Sequence, residues 1–456
     1  MRYVLMMGTA LFSCMAIAEA GTMLNLDAAA RMALERAPAF AAALAARDAS
    51  LEDKNLGLAG LLPFIKGTGE FSHFKQKYSY TQPKSFLASN VVYNRFQFGA
   101  TLVQPLYRLD RWAGFAKGKL AAEIGELKLS LARQALLMDV ARAYTDVLVT
   151  LEDVAAARIQ EKAVSTLRVQ AATAFQAGTA TVNDALEADS RIDLVRADRI
   201  QSENNLATAR ARFESLVGNA HVEPVPFARH LHAGRPRPDD GGHWREAGMH
   251  HALSVLISEK KRAVAKQEVT RSLGVALPGI DAVASLGREK ETNSLFATGY
   301  TIRTEQLGIQ MEVPLYAGGG TRAQLRKARK LQVEADYELG DTRRKAGLVA
   351  NNAYLSVKSA AARMRAFEHG VVSAEMARRA AQAGYEVGLR TIVERLDAED
   401  RLASARRDLV RAKAEYLLAR LQLPAAVGRL NLTEIEKVNS ILLRAGERGD
   451  EKNGGG

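Results

Sequence analysis

Cysteine is almost absent: the 456 residues hold one, Cys14. It lies inside an opening segment that reads as an export signal, so the exported chain is expected to have no disulfide and no thiol chemistry. Arg2 supplies a positive start, Tyr3 to Ala18 is apolar but short for a bilayer span, and Ala18-Glu-Ala20 forms an Ala-x-Ala cleavage site before Gly21. A rival reading takes Leu11-Phe-Ser-Cys14 as a lipoprotein processing site; Phe12 fits it poorly, and the Ala-x-Ala site is better formed. Beyond residues 1–20 there is no run of 18 apolar residues. That excludes a transmembrane helix but not a β-barrel, whose strands are short and alternate.

Other absences narrow the chemistry. The net charge is +12, yet no basic block with interleaved aromatics occurs, so nucleic acid is excluded as a partner. Lysines and arginines alternate with acids, the pattern of a solvated helix surface. Six of the eight histidines fall between His221 and His251, without a His-x-x-x-His spacing or a carboxylate frame. They read as part of a polar connector rather than a metal site. Gly318-Gly-Gly320 is no phosphate loop, because no Gly-Lys-Ser/Thr follows. The acids Glu187, Asp189, Asp397 and Glu399 follow the helix surface and lack a nucleophile or metal frame, so neither an enzyme nor a cofactor is expected.

Proline is also missing where it matters. None stands between Pro105 and Pro224, or between Pro314 and Pro424. From about Trp112, Leu120, Ile124, Leu127 and Leu131 form a heptad-like seam that runs on toward Phe175. About 60 helical residues would span about 90 Å at 1.5 Å each, too long for a helix without a coiled-coil partner. The segment from Thr181 to Val217 folds back to supply one.

Before this seam, Leu24 to Ala59 reads as helix, with Asp27 as a cap and a break at Pro38. The period then changes to two. Ile65, Gly67, Gly69 and Phe71 alternate with polar residues, as do Phe96, Phe98, Ala100 and Leu102, which places strands at about 64–80 and 92–104 around a polar loop at Thr81-Gln-Pro-Lys84, with Pro105 ending the second. The order recurs: helix over Trp244–Ser272, strands at about 278–288 and 300–313, a polar loop from Arg288 to Thr298 between them, a proline-free helix over Thr321–Val387 and a return helix to Leu423, closed by Pro424 and Gly428.

The repetition is a duplication. A shift of 210 places Phe175 on Tyr385, Gly178 on Gly388, Thr181 on Thr391, Leu186 on Leu396 and Val217-Gly218 on Val427-Gly428. The repeats are 21–218, with its tip near 178, and 243–430, with its tip near 388; a linker over 219–242 joins them, and 431–456 is a C-terminal segment whose end, Glu447–Gly456, reads as disordered. In each tip a glycine marks a helix end and a threonine starts the next helix. Thr391-Ile-Val-Glu394 is a capping box. Four strands in an open sheet would leave bare edges that lipid does not tolerate, so several chains must share one barrel.

Gly384-Tyr-Glu-Val-Gly-Leu-Arg-Thr-Ile-Val-Glu-Arg-Leu-Asp397, with Val313-Pro-Leu-Tyr-Ala-Gly-Gly319 and Gly428-Arg-Leu-Asn431, resembles the TolC-type outer-membrane channel family along essentially the whole exported chain. The resemblance implies a mostly α fold with four membrane strands, a homotrimer forming a 12-stranded barrel in outer-membrane lipid of a Gram-negative bacterium, and a long coiled-coil periplasmic tunnel. It implies a periplasmic adaptor and an inner-membrane ABC transporter or other pump as partners. It also implies that Tyr385 and Arg390 tether the second tip to Asp184 and Asn183 of the first, and that Glu394 and Asp397 form an acidic aperture ring. Asn183 stands where the family has threonine, and Glu394 where it has aspartate. Residues 394 and 397 share one helix side, so three copies would bring six carboxylates to one constriction. The plainer roles are a cap for Glu394, a coiled-coil knob for Tyr385 and a surface charge for Arg390. The function implied is a passive exit duct. The signal site and the tip sequence favour type I secretion of unfolded protein, such as a toxin; multidrug or small-molecule efflux is the alternative, and a structural coiled-coil adaptor a reading of another class.

Overall fold

A computed structural model describes residues 22–79, 90–178, 181–218, 222–226, 231, 233–293 and 298–443. The signal segment with Cys14, the Thr81–Lys84 loop, residues 294–297 of the second polar loop, His221, His230 and His232 of the connector, and the tail from Glu447 lie outside these residues.

The elements in chain order are β1 (Thr22–Leu24), α1 (Leu26–Arg36), α2 (Pro38–Ala59), β2 (Phe64–Lys77), β3 (Asn90–Tyr107), α3 (Leu109–Gln176) and α4 (Val182–Val217). β4 (Val222–Pro224), α5 (Gly241–His251), α6 (Leu253–Gly274), β5 (Gly279–Glu291), β6 (Tyr300–Glu312), α7 (Gly320–Glu386), α8 (Ile392–Ala426) and α9 (Leu432–Leu443) follow.

Each half is built on one very long helix. α3 has 68 residues and α7 has 67, so each runs about 100 Å at 1.5 Å per residue. α2 covers the first part of α3 and α4 the rest; α6 and α8 do the same for α7. Long helices survive because small and apolar residues on one side meet these partners, which supply the burial that propensity alone does not. α3 also packs on α6 and α8, so the two halves interlock.

Four local predictions are corrected. Asn25, not Asp27, caps α1: its side chain accepts from the Ala28 amide at 2.8 Å, while Asp27 pairs with Arg31. The Trp244–Ser272 helix is two helices with an extended residue, Ala252, between them. Pro105 lies inside β3, at a register irregularity between Pro105 and Tyr107, as expected of proline in a sheet. Pro424 lies inside α8, in its last turn, where Leu421 and Leu423 are buried.

The strands form one antiparallel sheet in the order β2-β3-β5-β6. The halves join through β3 and β5, with Gly99 opposite Gly287. β2 and β6 are open edges of 14 and 13 residues. One face carries Ile65, Phe71, Phe98, Leu286, Leu307 and Ile309, each more than 60% exposed or close to it. The opposite face is polar. There Arg95 pairs with Glu291 at 2.5 Å and Glu289 at 3.5 Å, with its guanidinium 4.9 Å from the Phe74 ring centroid. At the helix end of the sheet, Arg108 bridges Asp281 at 2.5 Å and Glu312 at 3.2 Å.

The main core lies midway along the helices, where α1 and α9 dock. Tyr144, Phe213, Tyr416 and Ile435 are fully buried there, and the Tyr144 and Phe213 rings meet edge-on at 5.9 Å. Tyr416 accepts from the Gly234 amide at 2.8 Å, fastening the connector. The parallel β1–β4 pair binds the start of the chain to the connector. Gly428, with φ of +74°, turns the chain from α8 into α9, and a Cβ there would stand 2.5 Å from the His251 carbonyl. Asn431 then caps α9 by accepting from the Glu434 amide at 3.0 Å.

Candidate functional site

The tips are built from the same parts twice. α3 ends at Gln176 and α7 at Glu386, and Gly178 and Gly388 follow with φ of +72° and +78°. That left-handed backbone is open to glycine at no steric cost. In the second tip the Gly384 carbonyl accepts from the Leu389 amide at 2.8 Å and the Arg390 amide at 3.2 Å. The return helices then start on Thr181 and Thr391.

Both tips carry a complete capping box. Thr181 accepts from the Asp184 amide, and the Asp184 carboxylate accepts from the Thr181 amide at 3.0 Å. Thr391 accepts from the Glu394 amide, and Glu394 accepts from the Thr391 amide at 2.8 Å. The Thr391 amide holds the Glu394 carboxyl below its usual range, helped by the Thr391 hydroxyl and Arg390. Within one chain the crowding that would raise it is therefore not felt.

A small core lies just behind the tips. Val164, Leu167, Ala171, Ala188, Ile192 and Leu396 are buried in it, so both hairpins of the chain share it. Tyr385 packs against this cluster, with the Arg395 guanidinium 5.4 Å from its ring centroid. Arg395 also donates to Gln170 at 3.2 Å. Arg390 stands at the turn, half exposed, 4.0 Å from Glu394. Among the described residues, no hydrogen bond or ion pair joins Asp184 to Tyr385 or Asn183 to Arg390. Within a single chain Asp184 is committed to its own helix start.

Asp397 is half exposed and lies 3.8 Å from Arg191 of α4. Arg191 also pairs with Asp400, which accepts from Gln160 of α3 at 2.5 Å. Asp400 thus ties α8 to α3 and α4 one turn beyond Asp397. Sequence reading missed Arg191, Gln160 and Asp400, because each sits among many similar helix-surface residues. Apolar side chains crowd the solvent side of the tips: Leu186, Val387 and Leu389 are among the most exposed apolar residues there. Among the described residues no group of three histidines, cysteines or carboxylates is placed to hold a metal ion.

The outer membrane efflux protein family matches this sequence twice, over residues 29–219 and 251–429. The chain belongs to that family.

The two matches fall on the two halves of the duplication. Among relatives of the outer membrane efflux protein family, the outer membrane protein TolC of Vibrio cholerae is 26% identical over 92% of this chain and 94% of its own length. The alkaline protease secretion protein AprF of Pseudomonas aeruginosa is 27% identical over 89% of this chain and 85% of its own. The Campylobacter jejuni CmeC outer membrane channel superposes with a TM-score of 0.76 at 14% identity, covering 92% of this chain and 90% of that one, which shows the shared fold. The protein is an outer-membrane channel of tripartite export systems, with a large periplasmic helical part, and not an enzyme.

Proposed function

We propose that three copies close one barrel and one tunnel, making the exit duct of a type I secretion system that passes unfolded protein from an inner-membrane ABC transporter and an adaptor to the exterior. The observation that carries the duct is the sheet: two open edges and one apolar face are usable in lipid only when neighbouring chains pair the edges. Three four-stranded sheets supply twelve strands, and the polar face then lines a wet interior.

The tips are the closed end. Tyr385 and Arg390 are proposed to reach Asp184 and Asn183 when copies assemble, and Glu394 with Asp397 to form the acidic ring. Crowded carboxylates attract cations and disfavour anions. Energy comes from the pump, and docking draws the tips apart. The exposed Leu186, Val387 and Leu389 suit an apolar partner at this end.

The protein-secretion cargo follows the likeness to a protease secretion protein along most of both chains. Small-molecule efflux is the second reading, carried by the likeness to channels named without a protein cargo. Two measurements test these statements. Outer-membrane fractions should hold a heat-modifiable trimer; a soluble or inner-membrane monomer overturns the duct. Deleting the gene should abolish secretion of a protein substrate while drug susceptibility stays unchanged; the reverse outcome assigns the channel to efflux.

A further inference from the structure

The apolar face of the sheet ends in a field of positive charge. Alternate residues of a strand share a face. On this face there is no charged residue from Ile65 to Phe71, from Phe96 to Gln104, from Ile280 to Leu286 or from Leu307 to Met311. Beyond that band, toward the loop end, the same face carries Arg288 and Lys290 on β5, Arg303 on β6, and Lys75 and Lys77 on β2. Its one carboxylate in this region is Glu305, a row below Arg303 and opposite Leu286. The other carboxylates of the distal strands, Glu70, Glu289 and Glu291, lie on the opposite face, where Glu289 and Glu291 hold Arg95. The sheet has therefore sorted its charges by face.

Arg288 and Arg303 are directly opposite each other on neighbouring strands. Like charges in that position destabilise a sheet unless something compensates them. Among the described residues, neither they nor Lys290, Lys75 and Lys77 make an ion pair or a side-chain hydrogen bond. Next to them are aromatic rings: Phe98 pairs with Arg288 and Phe96 with Lys290 in register, and Phe96 meets Phe71 at 4.9 Å. Phe96, Phe98, Arg288 and Lys290 line a shallow cleft of about 280 Å³.

The height is decisive. From the Ile280–Met311 pair to the Arg288–Arg303 pair is eight residues. That is about 27 Å along a strand, and about 20 Å of membrane depth at a barrel tilt of about 40°. The cations therefore stand at the far rim of the lipid-facing band, beside an aromatic girdle, where the head groups of the outer leaflet begin. Among the described residues, the helix-end rows of the same face, Ile65 with Leu102 and Ile280 with Met311, carry no charge.

We propose that Arg288, Arg303 and Lys290 bind the phosphate groups of the glycolipid of the outer leaflet, with its acyl chains lying along Phe96, Phe98 and Leu286. Arginine suits this role because its planar fork meets phosphate oxygens in pairs and stays charged. The inference rests on the barrel reading, which turns the apolar face toward lipid; heat-modifiable trimers report on that reading separately.

The test is native mass spectrometry of the full-length channel in detergent, titrated with bis-phosphorylated lipid A, with lipid A stripped of phosphate, and with phosphatidylglycerol. The wild type should retain the phosphorylated glycolipid and lose it when the phosphates are removed. Arg288→Gln with Arg303→Gln should weaken retention by about a hundredfold, about tenfold for each lost charge-assisted contact. Arg288→Lys with Arg303→Lys, which keeps the charge but loses the paired donors, should fall between the wild type and the double glutamine variant, and Lys66→Gln on the opposite face should change nothing. Equal retention with and without phosphate, or unchanged retention in the double glutamine variant, overturns the site. Phosphatidylglycerol held as tightly as lipid A makes the patch a general anion binder and overturns the glycolipid assignment.

Discussion

Arg191 and Asp397, from opposite halves of the duplication, lie 3.8 Å apart. The same guanidinium pairs with Asp400, so one side chain of α4 holds two carboxylates of α8 beside the proposed aperture. Any outward swing of the second hairpin relative to the first must separate them.

Replacing Arg191 by alanine should therefore favour opening without unfolding the chain. Partly exposed pairs contribute about 0.2–1 kcal/mol, so the melting temperature should move by a few degrees at most. Single-channel conductance in planar bilayers should rise, and Arg191→Lys should restore most of the closed level. An unaltered conductance would show that this contact does not restrain the tip.

Arg390→Ala and Asp184→Ala should each raise conductance if the proposed latch is real. Asp184 also caps α4, so the control is Thr181→Ala, which breaks the same capping box and leaves the carboxylate. Loss of that cap costs about 1 kcal/mol. A rise in conductance with Thr181→Ala equal to that with Asp184→Ala would assign the effect to the helix start.

Glu394 is separable into cap and pore charge by one substitution. Glutamine keeps the capping geometry and removes the charge. Glu394→Gln with Asp397→Asn should weaken cation selectivity, read as a reversal potential moved toward zero in a salt gradient. The Glu394 carboxyl is held below its usual range, so its cap is complete above that range and is lost as pH falls through the lowered value. The wild-type tip should accordingly fray in acid, and the glutamine variant should not. Tip amide exchange measured against pH would reveal the difference, and identical acid profiles would contradict it.

Glu268 is a second acid-sensitive point, remote from the tips. Arg271, then Lys117 of α3, pull its carboxyl down to about 2. A lowered carboxylate stabilises the fold above its unfolded value and loses that contribution as pH drops toward 2. Glu268→Gln should cost on the order of 2 kcal/mol near neutral pH. The gap in thermal stability between variant and wild type should close in strong acid.

Much of this molecule was legible in its sequence because the chain changes period sharply. Alternation of two at Ile65–Phe71 and Phe96–Leu102 falls within β2 and β3, and the long proline-free segments hold α3 with α4 and α7 with most of α8. The Thr391–Glu394 capping box formed as its spacing required. What escaped was set by tertiary contact. Pro424 continues α8 because the flanking leucines are buried, and packing outweighs one missing amide. β1 and β4 are three residues each and carry no pattern. α9 depends on Asn431 as its cap and on Ile435 and Val438 entering a core made by distant helices. Arg191 could not be singled out, since its meaning comes from Asp397 and Asp400, two hundred positions away.

The two open sheet edges set a rule for how the protein responds to dilution. A solitary chain has 14 residues of β2 and 13 of β6 with one side of the backbone unpaired, and lipid offers no substitute for those hydrogen bonds. Folding in the membrane and association are then a single equilibrium, governed by mass action. The apparent melting temperature should climb with the number of chains per unit of membrane, and a sheet edge blocked by one proline in β6 should leave the helices intact in water but no protein in the bilayer.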